Sequence, residues 1–257
     1  MKKLFLSIIS ITLTFASIVA QSGATFEFKI SSSKGATGSI KTFYSSGNSR
    51  MEMQMTIPQM PNGGFSRTSI TKSAKPSTVY ALDDKSKTYS TSETPASASN
   101  ATCDNCIVKV LGKEKVGNYN CTHATVTKGT EANEYWTTTE IPEFEMYSKA
   151  NSGNKYMGTN GEYDALKKNG AAGFIVKSIT KDARGGDFTL ELVKMEKKDI
   201  PMSMFEIPAD YKQSTSTAPM GAPAIDAAKL QNMTPEERQK YVEEMKKQYG
   251  VKDEGKK

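Results

Sequence analysis

Three cysteines and the only histidine of the 257-residue chain carry the side chains with the clearest chemistry. Cys103 and Cys106 stand three residues apart, and Cys121 and His123 stand two apart. In a regular strand, residues two apart point to the same face, so Cys121 and His123 can act together. Three thiolates and one imidazole would make a closed tetrahedral zinc site. Zinc bound by these four residues is therefore one hypothesis.

A secretory signal peptide is predicted over residues 1–20. Lys2 and Lys3 form a basic start, an uncharged apolar run follows, and Ala20 offers a small residue at the cleavage point. The run is short and interrupted by Ser and Thr, which favours a signal peptide over a membrane anchor. We expect a periplasmic or secreted mature chain that is not transmembrane after cleavage.

Export changes the interpretation of the cysteines, because oxidising compartments usually convert close thiols to disulfides. A disulfide from Cys121 to either Cys103 or Cys106 is favoured over the zinc site, and it leaves one thiol over. A redox-active bond between Cys103 and Cys106 is disfavoured, since no βαβ pattern accompanies the pair.

Alternating methionines form a second pattern with two interpretations. Met51, Met53 and Met55 alternate with polar residues and so share one face of a predicted strand. Soft thioethers could bind Cu(I), together with three more methionines: Met60, Met202 and Met204. Strict alternation is what an apolar core or cavity wall requires, and methionine adapts to irregular neighbours. Core or cavity lining is therefore favoured over copper.

Sequence patterns typical of enzymes are missing. The chain has no Gly-x-Gly-x-x-Gly, P-loop or His-Glu-x-x-His motif, and one histidine leaves no obvious base for a nucleophile. The formal net charge is +6, from 34 basic and 28 acidic residues, and the two signs are interspersed. Such a mixture does not indicate nucleic-acid binding. We expect a non-enzymatic protein with no cofactor and no nucleic-acid partner.

Apolar and polar residues alternate through most of the chain, which predicts a mainly β (α+β) fold with one antiparallel sheet of roughly nine to eleven strands. The first strand is indicated by Phe26, Phe28 and Ile30, which alternate with polar residues. Further strands are predicted at 39–45, 51–57, 65–72, 78–82, 87–91, 106–111, 174–181 and 187–195. Short helices are predicted at 142–150 and 161–168, and residues 200–211 are predicted to form an edge strand or a lid.

The most distinctive segment runs from Val108 to Pro142. The stretch GNYNCTHATVT is rich in β-forming residues, residues 128–131 supply a turn, and NEYWTTT returns as a second strand. The segment therefore predicts a β-hairpin that holds Cys121, His123 and the only tryptophan, Trp136.

This hairpin carries a resemblance. A Gly-x-Tyr-x-Cys strand answered by Tyr-Trp-Thr-Thr, with MFEIPADY further on, resembles a family of secreted bacterial proteins of unassigned function. That family is similar in fold to the LolA/LolB lipoprotein carriers. The resemblance covers about residues 25–211 and implies a curved, half-open barrel with helices on its open side and a hydrophobic cargo. The pair Cys103 and Cys106 lies outside the pattern.

Four segments are predicted from composition: a signal peptide (1–20), a half-barrel domain (21–212), a flexible linker (213–224) and a charged helical tail (225–257). The linker is rich in Ser, Thr, Ala and Pro and cannot build a packed core. In the tail, Thr234 and Glu237 form the pattern of a capping box at a helix start.

These patterns together predict an exported binding protein whose curved sheet encloses an apolar cavity for a lipid or acyl-chain ligand. The expected cavity wall consists of Phe26, Phe28, Met51, Met53, Met55, Trp136, Phe188 and Leu190. The alternative is a structural or adaptor module of the cell envelope that has a filled core and acts on an envelope partner through its surface and tail helix.

Overall fold

The fold is built on one large β-sheet. The computed structural model describes residues 20–58, 63–93, 103, 105–129, 131–142, 160–182, 186–214, 233–234, 236–237 and 239–241. Within these ranges the sheet has twelve strands, one α-helix packs against it, and one 3-10 helix follows its longest strand.

The strands succeed one another along the chain, most of them through short turns. Their bounds are β1 (Ala20–Ser32), β2 (Thr37–Ser45), β3 (Asn48–Thr56), β4 (Gly64–Lys72), β5 (Lys75–Asp83), β6 (Thr88–Glu93), β7 (Cys106–Val116), β8 (Tyr119–Lys128), β9 (Glu131–Thr138), β10 (Phe174–Asp182), β11 (Gly186–Pro201) and β12 (Lys212–Gln213). Helix α1 (Asn160–Lys168) lies between β9 and β10, and the 3-10 helix (Met202–Phe205) follows β11.

The sheet is a single curved layer that does not close. Its strand order is β12-β6-β5-β4-β3-β2-β1-β11-β10-β9-β8-β7, and every pairing except that of β12 with β6 is antiparallel. Within the described residues, β7 and β12 are therefore its two edges. This confirms the predicted mainly β fold with one curved, half-open antiparallel sheet.

Strand β1 lies at the centre and joins the two halves of the sheet. It pairs with β2 on one side and with β11 on the other. Phe26, Phe28 and Ile30 are buried, while Glu27 and Lys29 point to the opposite face. The register with β11 shifts between Glu27 and Phe28, and such a bulge bends a sheet by increasing its local twist. The alternation in the sequence is thus what places β1 in the core.

Buried apolar side chains form three clusters. The central apolar cluster contains Ala24, Phe26, Phe28, Ile30, Ile40, Tyr44, Met53, Val116, Cys121, Trp136, Ile141, Phe174, Val176, Leu190 and Leu192. The second cluster lies on the opposite face of β2 and contains Phe43, Ile70, Leu82, Ile200, Phe205 and Tyr211. The third cluster packs α1 against the hairpin and contains Ala124, Val126, Tyr135, Leu166 and Ala171.

Most predicted elements are confirmed, including the hairpin of β8 and β9 and the helix at 161–168. Residues 200–211 were predicted to form an edge strand or a lid. The edge-strand alternative is wrong, because β11 ends at Pro201 and a 3-10 helix follows at Met202–Phe205. Phe205 and Tyr211 insert into the second cluster, so this segment covers one face of the sheet. The predicted helix at 142–150 falls almost wholly outside the described residues.

Two contacts near the C-terminus can be compared with the predicted end of the half-barrel domain and the predicted start of the tail helix. The sheet includes Gln213, and the amide of Ser214 donates to the carbonyl of Tyr89 at 2.8 Å, just beyond the predicted domain end at residue 212. In the tail, the amide of Glu237 donates to Thr234 Oγ1 at 3.3 Å and the amide of Thr234 donates to Glu237 Oε2 at 2.9 Å. This confirms the predicted capping box. Residues 1–19 and most of the linker and tail lie outside the described residues.

The contact between Tyr211 and Asp84 should make the free energy of unfolding fall at alkaline pH. The Tyr211 hydroxyl donates to the Asp84 carboxylate, and this hydrogen bond raises the pKa of Tyr211 to about 12. Because the pKa in the folded state lies above the ordinary value of about 10, the contribution is complete below about pH 10 and is lost as the pH rises toward 12. Urea unfolding should show a larger loss over this pH range in the parent than in Tyr211→Phe, which keeps the other tyrosines whose pKa is raised by burial, Tyr135 among them. Equal pH dependence of the two proteins would contradict the assignment.

Among the described residues, no helix has the length and apolar character needed to cross a bilayer.

Candidate apolar binding site

The structure brings all eight predicted wall residues together. Five of them are buried members of the central apolar cluster: Phe26, Phe28, Met53, Trp136 and Leu190. The other three are half-buried and pack against that cluster: Met51, Met55 and Phe188. They come from β1, β3, β9 and β11, so residues far apart in the sequence form one apolar surface.

An aromatic stack forms the middle of this surface. The ring of Phe174, at the start of β10, lies with its centroid 5.0 Å from Phe26 and 6.1 Å from Phe28, and both pairs are nearly parallel. Offset stacking of this kind is favourable beyond the burial of the rings themselves. Sequence reasoning placed Phe174 in a strand without assigning it to the wall. Its alternation with Val176 was the signal that could have found it.

The three methionines share one face of β3, as predicted. In the register with β2, Met53 stands opposite Ile40 and Met55 stands opposite Gly38, which has no side chain to occupy the space beside Met55. On the other side, Arg67 of β4 stands opposite Met53 and brings a positive charge to the border of the apolar surface. On this face of the sheet, β3 therefore lies between the central apolar cluster and Arg67 of β4.

The copper alternative is assembled only in part, because Met202 and Met204 do not join the three methionines of β3. Met202 and Met204 pack against the second cluster, whose members lie on the other face of β2 from the central apolar cluster. Met60 lies outside the described residues. Among the described methionines, Met202 and Met204 therefore lie on the other face of the sheet from Met51, Met53 and Met55.

Trp136 marks a polar border of the central apolar cluster. Its indole N–H donates to Glu114 Oε2 at 2.8 Å, and the ring of His123 stacks on it with centroids 4.1 Å apart. The ammonium of Lys177 lies 4.7 Å from the centroid of the Trp136 ring. An indole commonly has one end in an apolar environment and its N–H at a polar one. Trp136 is thus fixed in orientation by three partners from β7, β8 and β10.

His123 has carboxylates at both ring nitrogens. Its Nε2 lies 3.0 Å from Glu134 Oε2, and its Nδ1 lies 3.4 Å from Glu114 Oε2. Cys121 is two residues away on the same strand, but the other two cysteines are bonded to each other. Within the described ranges, no three His, Cys, Asp or Glu side chains are grouped so that they could hold a metal ion. The zinc alternative therefore does not assemble.

The predicted disulfide from Cys121 to Cys103 or Cys106 is wrong. The structure joins Cys103 to Cys106, with their Cα atoms 5.3 Å apart, and leaves Cys121 as a buried free thiol. The hairpin register explains this, because Cys106 pairs with Lys128, which is 128 − 121 = 7 residues along β8 from Cys121. That spacing corresponds to roughly 20 Å in a strand. Neither bond proposed for Cys121 can then form without breaking the hairpin.

Cys121 is expected to react slowly with thiol reagents in the folded protein. It is fully buried in the central apolar cluster, and burial raises the pKa of its thiol, so little thiolate is present at neutral pH. Thiol counting with Ellman's reagent should find one thiol per chain after denaturation without reductant and almost none before it. Peptide mapping should link Cys103 to Cys106. Three thiols in the denatured, unreduced chain would contradict this assignment.

Helix α1 packs on the face of β9 opposite Trp136. Tyr135 precedes Trp136 in the strand, points the other way, and donates its hydroxyl hydrogen to Glu162 Oε2 of α1 at 2.6 Å. Asn133 donates to the other carboxylate oxygen at 3.1 Å. Burial raises the pKa of Tyr135 well above its ordinary value, with the Glu162 charge as a further cause. The buried carboxylate therefore fixes α1 to the hairpin.

A family described as a domain of unknown function, DUF4412, matches residues 24–211. No curated protein matches the sequence. The chain aligns with an uncharacterized conserved protein from Thermus thermophilus at 8% identity and a TM-score of 0.43, over 74% of this chain and 90% of that one.

Two further alignments have lower TM-scores. A chain of the Pseudomonas aeruginosa MucA/MucB complex aligns at 10% identity and 0.38, over 74% of this chain and 57% of that one. A LolA superfamily protein from Nitrosomonas europaea aligns at 8% identity and 0.24, over 74% and 91%. Similarity this loose transfers neither a ligand nor an activity.

Proposed function

We propose that this chain, which belongs to the DUF4412 family of domains of unknown function, is an exported, non-enzymatic protein that binds a lipid or acyl chain. The ligand would lie against the central apolar cluster. One observation carries the proposal: the eight residues expected to form a cavity wall converge on a single cluster in a sheet that stays open. The family description assigns no ligand, so the residues themselves must identify it.

The chemistry of the surface favours a flexible apolar ligand. A curved sheet with one apolar face must cover that face with its own chain or with a ligand, and small-molecule sites are usually concave and mostly apolar. Met51 and Met55 are half-buried at the border of the cluster. Unbranched, polarisable methionine side chains adapt to ligands of varied shape. An acyl chain matches such a surface better than a rigid polar molecule does.

A buried hydroxyl gives independent support. Thr42 stands between Phe26 and Met51 in the sheet register, is fully buried, and has no hydrogen-bond partner for its Oγ1 among the described residues. Buried polar atoms in native proteins nearly always have a partner, which can be a water molecule or a ligand. A ligand or water molecule that enters the cluster would satisfy this hydroxyl.

The second candidate function is the structural or adaptor module of the cell envelope. The observation that favours it is the burial of Phe26 and Phe28, which are 0% and 1% exposed. Side chains packed as completely as this are typical of an ordinary core. In that case the protein would act through its surface and its charged tail, and no lipid would bind.

Uptake of a fluorescent fatty acid separates the two functions. Mature protein titrated with cis-parinaric acid should give saturable fluorescence, and unlabelled palmitate should displace the probe. A water-soluble fluorophore without an acyl chain is the control and should not bind. Failure of the folded protein to take up the probe would favour the structural module.

The proposed location follows from the same chain. The signal peptide predicted at residues 1–20 would direct the protein to the periplasm or the medium, where hydrophobic molecules need a carrier to cross water. N-terminal sequencing of exported material should begin at about Gln21. Retention of the intact chain inside the cell would contradict the proposed location.

A further inference from the structure

A polar cleft on the other face of the sheet is separate from the central apolar cluster. The cleft is open to solvent on one side, has a volume of about 340 Å³, and is lined by Lys75, Thr78, Tyr80, Tyr89, Thr91, Glu93 and Gln213. Thr78 and Tyr80 share a face of β5 with Leu82, a member of the second cluster. Strand β12 forms one side of the cleft, where Gln213 pairs with Tyr89.

One end of the cleft is aromatic. The rings of Tyr80 and Tyr89 have centroids 6.4 Å apart and planes tilted by 53°. Both rings pack partly against the second cluster, which fixes their positions, and both remain half-exposed toward the cleft. A tyrosine presents an apolar ring face together with a hydroxyl that can donate or accept a hydrogen bond.

The other end of the cleft carries an oriented carboxylate. Thr78 Oγ1 donates to Glu93 Oε1 at 2.7 Å, and Ser77 Oγ donates to Glu93 Oε2 at 3.0 Å. These hydroxyls hold the exposed carboxylate in one position, and each of its oxygens has a further lone pair for a ligand donor. Lys75 lines the same cleft and supplies a positive charge that balances Glu93.

The side chains that line the cleft fit some classes of ligand better than others. Among the described residues that line the cleft, none has an aliphatic side chain, so an acyl chain would gain little from them. Because Lys75 and Glu93 oppose each other in charge, neither a strong anion nor a strong cation is favoured. Aromatic faces beside hydroxyl, amide and carboxylate groups match a sugar ring, which has an apolar C–H face and a rim of hydroxyls that both donate and accept. The volume lies at the low end of the range for ligand sites, about 300–1,000 Å³.

We propose that this cleft binds a neutral saccharide of one or two pyranose rings. One ring lies against Tyr80 and Tyr89, and its hydroxyls donate to Glu93 and accept from Lys75 or Gln213. The inference is independent of the acyl-chain proposal, because the two surfaces share no residue. An envelope protein with both sites would hold a hydrophobic ligand while it docks on a glycan.

Heteronuclear NMR titration of the full mature chain tests the proposal. Maltose and N,N′-diacetylchitobiose are the probes, added up to about 10 mM, which detects affinities in the weak millimolar range. Amide shifts should move for residues 75–93 and for Gln213 and stay unchanged around the central apolar cluster. The dipeptide Gly-Gly, which is zwitterionic, tests the competing ligand class.

Two variants make the outcome decisive. Glu93→Gln, at an exposed position, should stay folded and weaken saccharide binding about tenfold, because a charge-assisted hydrogen bond is lost. Tyr89→Leu should also weaken binding while it keeps apolar contact with the second cluster. Glu196→Gln, the same change at a partly exposed carboxylate on β11, five strands from β5, should have no effect on binding. No shift with either saccharide, stronger shifts with Gly-Gly, or equal affinity of Glu93→Gln and the parent would each overturn the proposal.

Discussion

Phe26→Ala should lower the free energy of unfolding by about 3–5 kcal/mol, the usual cost of truncating a buried phenylalanine. Phe26 is fully buried on the central strand and stacks on Phe174, so its removal leaves a cavity that rigid neighbouring strands cannot fill. Urea unfolding followed by circular dichroism measures the change. The loss should appear as a lower midpoint with an unchanged slope.

Phe188→Ala is the matched control for this truncation. Phe188 belongs to the same apolar surface but is only half-buried, so its loss should cost about 1–2 kcal/mol. Similar losses for the two variants would mean that the stack of Phe26 and Phe174 is not the centre of the core. In that case the surrounding strands would be packed more loosely than the structure indicates.

Met53→Glu should weaken uptake of the fluorescent fatty acid by at least about tenfold and leave the protein folded. An acyl chain bound on this surface would exclude water from the new carboxylate, and removing water from a charge is costly. Binding should therefore weaken by at least about tenfold. Arg67 stands opposite Met53 in the register, and opposite charges across strands attract. This attraction and access of water to an open site should keep the fold intact. Circular dichroism and probe titration of the same sample measure both properties.

Gln54→Glu is the matched control, because it adds the same charge to β3 on the face away from the central apolar cluster. Gln54 adjoins Met53 on β3, points to the opposite face and is exposed. The variant should bind the probe as the parent does. Loss of binding in Gln54→Glu would assign the effect to net charge. Unfolding of Met53→Glu, together with no uptake by the parent, would identify the surface as ordinary core.

The alternation of apolar and polar residues predicted most of the strands, because successive side chains of a strand point to opposite faces of the sheet. The alternation around Phe26 and around Met53 fixed both the strands and the faces that became buried. The same alternation also explains why the eight predicted wall residues meet in one cluster, since each points to the apolar face of its strand. The predicted resemblance to a family of unknown function is likewise confirmed by the match over residues 24–211.

Features that depend on register could not be predicted in the same way. The disulfide prediction was wrong because β7 runs to Val116, beyond the predicted end at residue 111, and a bulge between Val110 and Gly112 shifts its pairing. That register sets Cys106 far from Cys121. Phe174 was not included among the predicted wall residues for a related reason. Its alternation with Val176 indicates which face it occupies, but the pairing of β10 with β11 and of β11 with β1 is what brings it to Phe26 and Phe28.

Native mass spectrometry of the mature protein, purified without detergent from a bacterium that exports it, tests the central claim most directly. We expect a population heavier than the bare chain by the mass of one lipid or fatty acid, which dissociates on denaturation and is depleted in Met53→Glu. A folded parent protein that appears only at the mass of the bare chain, and that acquires no added fatty acid, would contradict it.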